Sequence, residues 1–139
     1  MKDFENKVAV ITGAGSGIGR GLAEISAEKK MHLVLADVDE NGLNETLEIV
    51  KAKGIEAIAR ITDVSNLNEV ENLASQTYET FHNCHLLFNN AGVLGPSPLS
   101  QVTREMYDWL ININLGGCFN GVHSFLPKMQ SSDEEAHII

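Results

Sequence analysis

The stretch "TGAGSGIG" at residues 12–19 decides how the rest of the chain reads. Its four glycines fall within seven positions, between the β-branched run "KVAVIT" (7–12) and the segment "GIGRGLAEISAEKK" (17–30), where Ile18, Leu22 and Ile25 recur at helical spacing. A glycine-rich turn from strand to helix lets a ligand approach the backbone without Cβ atoms in the way. The helix that follows offers free N–H groups and the positive end of its dipole, which suit a pyrophosphate. Two widespread phosphate-loop spacings do not occur. In G-x-G-x-x-G the third glycine would fall on Ile18, Arg20 or Leu22, and no glycine precedes Lys and then Ser or Thr. What occurs is Gly13-x-x-x-Gly17-x-Gly19. A bare turn without a ligand is the competing reading, and it leaves the entropy cost of so many glycines unexplained.

Outward from this loop the chain alternates. "HLVLAD" (32–37) is apolar and ends in a carboxylate. "ENGLNETLEIVKAKG" (40–54) places Leu43, Leu47 and Val50 on one helical face and closes on Gly54, a helix C-terminal signal. "IEAIARI" (55–61) alternates as a strand does, "NLNEVENLASQTYETF" (66–81) returns to helical spacing, and "HLLFNNAG" (85–92) is an apolar run meeting polar residues and a glycine. Residues 103–129 read as mostly helical, with a weak point at Gly116-Gly117 and a stop near Pro127. Gly95-Pro96-Ser97-Pro98 reads as an irregular loop. "AHII" (136–139) reads as the start of a fifth strand. Strands alternating with helices predict an α/β fold with a doubly wound parallel sheet. Residues 1–139 form one domain in this reading, incomplete at the start of its fifth strand. Without that strand the fourth would be a long apolar edge, an aggregation hazard.

Composition excludes several classes. Ten Lys and Arg against 19 Asp and Glu give a net charge of −9, with no basic cluster for nucleic acid or an anionic membrane surface. No apolar stretch approaches the ~20 residues of a membrane span, and "MKDFENK" does not open a signal peptide. Cys84 and Cys118 lie far apart with no paired spacing, as in a reduced cytoplasmic chain whose thiols act as small core hydrophobes. His82, Cys84 and His85 cluster away from the carboxyl end of a strand and lack further ligands at metal spacing, so no metal site is expected.

Asp37 ends the second strand, 18 residues after Gly19. A carboxylate there accepts hydrogen bonds from adenosine ribose hydroxyls and repels a 2′-phosphate. The next residue is Val38, not an arginine that could pair with that phosphate. The expectation is NAD(H) over NADP(H). Asp37 could instead start the next turn or cap the next helix, although Asp39 is better placed for the cap.

With these motifs in order, the chain resembles the short-chain dehydrogenase/reductase family over essentially its whole length. "TGAGSGIG" is similar to that family's cofactor loop, which implies cofactor contacts at Gly13, Ser16, Gly17, Ile18 and Gly19. Asp63-Val64 resembles the pair that lies against the adenine ring, though Asp63 could also cap the helix starting near Asn66. "NNAG" at Asn89–Gly92 resembles the second signature, which supports the central sheet and lines the cofactor site through Asn90, Ala91 and Gly92. Both asparagines could alternatively be turn formers. "ININLGGCF" resembles the helix segment whose asparagine joins the catalytic set, and the match places it at Asn114, with Asn112 as competitor. Asparagine is a poor residue for a helix interior, which itself suggests a local task.

The resemblance implies a Rossmann-type fold and hydride transfer between a nicotinamide and a small alcohol or carbonyl substrate, within a homo-oligomer paired through the long helix. It also implies a serine and a Tyr-x-x-x-Lys. Four residues beyond Tyr78 and Tyr107 stand His82 and Ile111, so neither tyrosine starts that motif. The alternative is a catalytically inactive nucleotide-binding or interaction fragment.

Overall fold

The computed structural model describes residues 3–95 and 98–139. Among them, five strands share one sheet: β1 (Val8–Thr12), β2 (His32–Asp37), β3 (Ala57–Ile61), β4 (Leu86–Phe88) and β5 (His137–Ile138). They lie in the order β3-β2-β1-β4-β5, and every pairing is parallel. The helices are α1 (Gly17–Glu28), α2 (Glu40–Lys51), α3 (Leu67–Phe81), α4 (Arg104–Ile111) and α5 (Gly117–Gln130), with a π-helical turn, Asn112–Gly116, between the last two. This is the expected doubly wound, Rossmann-type α/β architecture. The chain winds from β1 through β2 to β3, then crosses to the far side of β1 for β4 and β5. Neighbouring strands β1 and β4 therefore send their following segments in opposite directions, which opens a crevice at their carboxyl ends.

Both faces of the sheet are covered, so the central strands bury side chains in both directions. Ala9, Ile11, Leu33 and Leu35 pack on the side holding Ala23 and Ala27 of α1 and Leu43 and Val50 of α2. Val10, Val34 and Leu87 pack on the other, with Val70 and Leu73 of α3 and Phe125 and Met129 of α5. The period of two along each strand, with no polar phase, is what a parallel sheet buried on both faces requires. Side chains close three of the helices: Asp39 accepts from the Asn41 N–H at 3.2 Å, Asn66 from that of Asn68 at 3.1 Å, and Thr103 from that of Met106 at 3.2 Å. Gly54, at φ +80°, takes the chain out of α2 in the left-handed conformation its position predicted.

Four details differ from expectation. The long helix breaks from Asn112 to Gly116 rather than at the Gly116-Gly117 pair. It then runs through Pro127 to Gln130, because the carbonyl that Pro127 cannot serve belongs to solvent-exposed His123. β4 is only three residues long and is no bare edge, since Leu86 and Leu87 pair with His137 and Ile138 of β5. Cys84 is a buried core thiol as expected, its pKa pushed up to about 12 by burial, but Cys118 is half-buried and its thiol donates to the Asn114 carbonyl oxygen at 3.3 Å. Pro96 and Ser97, the centre of the expected irregular loop, lie outside the described residues.

A polar tie holds the amino-terminal edge of the sheet. The Lys7 ammonium pairs with the Glu134 carboxylate, which also accepts from Asn83 Nδ2 and sits against His85 Nε2, each at 3.0 Å. His85 Nδ1 accepts the Val8 N–H at 2.9 Å, so the proton of the neutral ring resides on Nε2 and points at Glu134. These partners, Lys7 foremost, hold the Glu134 carboxyl down to about 2 from an ordinary 4.5. The tie fixes the segment that delivers β5 to β4.

Two outcomes follow from this packing. Replacing Phe125, which is fully buried between α5 and the sheet, by Ala should lower unfolding free energy by about 3–5 kcal/mol in denaturant titration. A loss under about 1 kcal/mol would contradict the docking of α5. Because the folded pKa of Glu134 lies below its unfolded value, its contribution to stability is complete above about 4.5 and disappears as pH falls towards about 2. Thermal melts across that range should show a shallower acid limb for Glu134→Gln than for the parent, and identical limbs would refute the tie.

Candidate functional site

At the reversal between β1 and β4 lies a cleft of ≈ 360 Å³. The loop after β1 and the first turn of α1 contribute Gly13, Ser16, Gly17, Ile18 and Gly19 to its wall. Asp37 and Val38 follow β2, and Thr62, Asp63 and Val64 follow β3. Asn90, Ala91, Gly92 and Val93 follow β4, and Ile113 reaches in from the π-helical turn. The eleven residues expected to contact a cofactor are thus brought together from four separate strand ends.

The glycine loop is shaped by close approach. Gly13 sits at φ +67°, and a Cβ there would lie 2.8 Å from Ala91 Cα. A Cβ on Gly19 would come within 2.0 Å of the Gly13 carbonyl oxygen, so only glycine lets α1 start flush against the loop. At Gly17, by contrast, nothing lies within 4 Å of where a side chain would stand; its φ of +52° favours glycine, and the residue lines the cleft. Ser16 makes no side-chain cap bond to α1, and the first turn of α1 has no acidic residue. The amides of α1 are therefore left for an anion, whereas α2, α3 and α4 are closed by their own side chains.

The carboxylates are held in place. Asp37 Oδ2 accepts the Gly15 N–H at 2.8 Å and its Oδ1 accepts the Asp39 N–H at 3.0 Å. Each oxygen keeps a further lone pair for a ligand. The helix cap falls to Asp39, not Asp37. Asp63 Oδ1 accepts from the backbone and hydroxyl of Ser65 at 2.9 and 2.7 Å, fastening the turn before α3, while Asn66 supplies the cap. Val64 is held from behind: its carbonyl accepts from buried Asn120 Nδ2 at 2.9 Å, and Gly117 gives it room, since a Cβ there would lie 2.7 Å from Val64 Cγ2.

Asn90 locks β4 to β1, its Nδ2 donating to the carbonyl oxygens of Thr12 at 2.9 Å and Gly13 at 3.3 Å. Asn89 turns the other way, its Oδ1 against Gly121 of α5, where a Cβ would stand 2.0 Å off. Asn114 is exposed and does not itself line the cleft. Its Oδ1 accepts the Val93 N–H at 2.8 Å and its Nδ2 donates to the Val93 carbonyl at 2.9 Å. That two-point clasp holds the segment after "NNAG" and accounts for an asparagine inside a helix. It distinguishes Asn114 from Asn112.

Several wall residues were not anticipated. Val38, Thr62, Val93 and Ile113 each adjoin an expected residue in sequence, and that adjacency was the available signal. Thr12 went unread because it looks like the last β-branched residue of a strand. Its hydroxyl donates to Phe88 O at 3.2 Å and accepts the N–H groups of Asn90 and Ala91 at 3.1 and 3.0 Å. Among the described residues no helix is long and apolar enough to cross a membrane, and no three His, Cys, Asp or Glu side chains are grouped to hold a metal ion.

Comparison with known proteins agrees with this geometry. A short chain dehydrogenase/reductase from Burkholderia phymatum, whose crystal structure is in complex with NAD, superposes with a TM-score of 0.96 at 47% identity, over 99% of this chain and 49% of that one. A diacetyl reductase [(S)-acetoin forming] from Staphylococcus epidermidis is 37% identical over 134 residues, 96% of this chain and 52% of its own. A C alpha-dehydrogenase from Sphingobium sp. strain SYK-6 is 33% identical over 140 residues, 100% of this chain and 46% of its own. The chain spans about half the length of the relatives it matches. The family pattern for short chain dehydrogenases matches residues 7–139. The chain therefore belongs to the short chain dehydrogenase family.

Proposed function

We propose that the cleft is the NAD(H) site of an oxidoreductase that moves hydride between the nicotinamide and a small alcohol or carbonyl substrate, with residues 1–139 as the cofactor-binding part of its Rossmann-type domain. The observation that carries this reading is the uncapped amino terminus of α1, opening into a cleft flanked by the Asp37 carboxylate. A pyrophosphate fits there, received by the amides around Ser16, Gly17, Ile18 and Gly19 across the space that Gly17 leaves open. Asp37 takes the ribose hydroxyls of the adenosine half and disfavours a 2′-phosphate, which supports NAD(H) over NADP(H). Asp63 and Val64 bound the adenine side. Asn90, Ala91 and Gly92 bound the nicotinamide side, close to β4. The relatives named above are dehydrogenases and reductases, and one was solved with NAD, which supports the same assignment.

The nicotinamide supplies or accepts the hydride when the cofactor is bound. Asn114 assists by position: with its amide committed to Val93, it holds the Val93 segment beside the reacting half of the cleft, and its carbonyl is kept in line by the Cys118 thiol. A proton donor and acceptor must come from elsewhere. Neither Tyr78 nor Tyr107 lines the cleft, and burial, with the nearby Cys84 thiol, raises the Tyr78 hydroxyl pKa. Leu115 and Phe119, 65% and 64% exposed on the helical segment that includes Asn114, support assembly into a homo-oligomer through that helix.

Replacing Asp37 by Ala together with Val38 by Arg, in the full polypeptide carrying this sequence, should weaken NADH binding by about tenfold to hundredfold. NADPH should bind better than in the parent. Fluorescence titration with both nucleotides measures this, and an unchanged preference would remove Asp37 from the ribose site.

A further inference from the structure

Arg20 stands one residue beyond the glycine loop, on α1, and is not on the cleft wall. Its guanidinium nevertheless binds the loop. Nη2 donates to the Gly15 carbonyl at 2.7 Å, to the Gly42 carbonyl at 3.3 Å and to Glu45 at 2.9 Å. Nε donates to the Thr46 hydroxyl at 3.0 Å, and that fully buried hydroxyl donates to Gly42 O at 3.0 Å. The Glu45 carboxylate is 67% exposed, so that ion pair contributes little. The bonds that matter are the charge-assisted ones to two backbone carbonyls and a buried hydroxyl.

Gly15 is consequently held on both of its peptide groups, its N–H by Asp37 and its carbonyl by Arg20. The fit leaves no slack. A Cβ on Gly42 would lie 2.6 Å from Gly15 O, and one on Gly15 would lie 2.9 Å from Asp37 Oδ2. The carboxylate that faces the cleft is thus aimed through a peptide that Arg20 anchors from the opposite side. We propose that Arg20 is a positioning residue for nucleotide selectivity: it does not touch the dinucleotide, but by anchoring Gly15 it sets how Asp37 is presented to the 2′ position of the ribose. This inference rests on the NAD(H) reading of the cleft. Lysine cannot replace it fully, since one ammonium cannot reach two carbonyls and a hydroxyl along a planar fork.

The test is titration of Arg20→Met, Arg20→Lys and Lys53→Met with NADH and with NADPH, in the full polypeptide. Lys53 is the control. It also bridges α1 to the end of α2, donating to Glu28 Oε1 at 2.7 Å and to Glu24 O at 3.3 Å, without reaching the loop. Arg20→Met should weaken NADH binding about tenfold and NADPH binding less, shrinking the NADH preference at least about threefold, with Arg20→Lys intermediate. Lys53→Met should lower the melting temperature and leave the preference alone. Proportional weakening of both nucleotides by Arg20→Met, or an unchanged preference, overturns the inference by making Arg20 purely structural. A selective loss of NADPH overturns it by making Arg20 a phosphate ligand. Should Arg20→Met fail to fold, an unchanged preference in Arg20→Lys overturns it equally. A parent protein that binds neither nucleotide removes the reading of the cleft and this inference together, whereas binding with an unmoved preference removes the inference alone.

Discussion

The Thr12 hydroxyl joins the two halves of the sheet. It donates to Phe88 O and accepts the N–H groups of Asn90 and Ala91, so the last residue of β1 is tied to the last residue of β4 and to the second and third residues beyond it. A doubly wound sheet needs such a tie at one place only. Elsewhere adjacent strands continue into segments that pack on a shared face. At the reversal, the segments after β1 and β4 part: Ala14 N–H still reaches Ala36 O and Asn89 N–H reaches Ile139 O, but the N–H groups of Asn90 and Ala91 turn to the Thr12 side chain instead. The Asn90 side-chain amide in turn serves the carbonyl oxygens of Thr12 and Gly13. The crevice is thereby closed at its base and open above, where a ligand can enter between loops already held rigid.

From that point the site is built by subtraction as much as by addition. Gly13, Gly19 and Gly42 stand where a Cβ would meet backbone, and Gly117 where it would meet Val64, at separations between 2.0 and 2.8 Å. Each permits one element to seat against another: the loop on the segment after β4, α1 on the loop, α2 on the loop, and α5 on Val64. Gly17 differs, because its missing side chain faces empty space rather than a neighbour. These four glycines serve assembly, whereas Gly17, at φ +52°, borders open space. Sequence spacing could not tell these roles apart, since both look like a glycine in a turn.

The alternation of strand and helix was legible because parallel strands buried on both faces are nearly solid with apolar residues, and each helix carries one apolar stripe. Asp39 as a cap and Gly54 as a terminator were legible because both act locally, through their own or adjacent backbone. The motif residues of the cleft were legible through family resemblance, and their convergence then follows from topology. What escaped reading depends on contacts distant in sequence. The break at Asn112–Gly116 accompanies the clasp of Asn114 on Val93, 21 residues away. The fastening by Thr12 reaches 78 residues along the chain to Asn90. Arg20, at an ordinary place on an amphipathic helix, gave no sign that its guanidinium would turn back to the loop. Pro127 was read as a stop because sequence does not say whether the carbonyl it deprives faces water.

The chain carries a net charge of −9, and among the described residues no Lys or Arg lines the cleft while Asp37 and Asp63 do. An anionic dinucleotide in such a place has to be held by oriented backbone amides, whose field is strong within the first helical turn and weak beyond it. That arrangement favours a phosphate seated directly on the amino terminus of α1 and provides nothing for a second phosphate farther off. Near Asp37 an additional phosphate would meet only like charge. Arg20 could have supplied a compensating cation, yet its Nε and Nη2 donate to Gly15, Gly42, Glu45 and Thr46. The proposed preference for a nucleotide without a 2′-phosphate thus rests on two linked features: a carboxylate fixed at the end of β2, and a nearby guanidinium whose Nε and Nη2 bond to the protein rather than to the cleft.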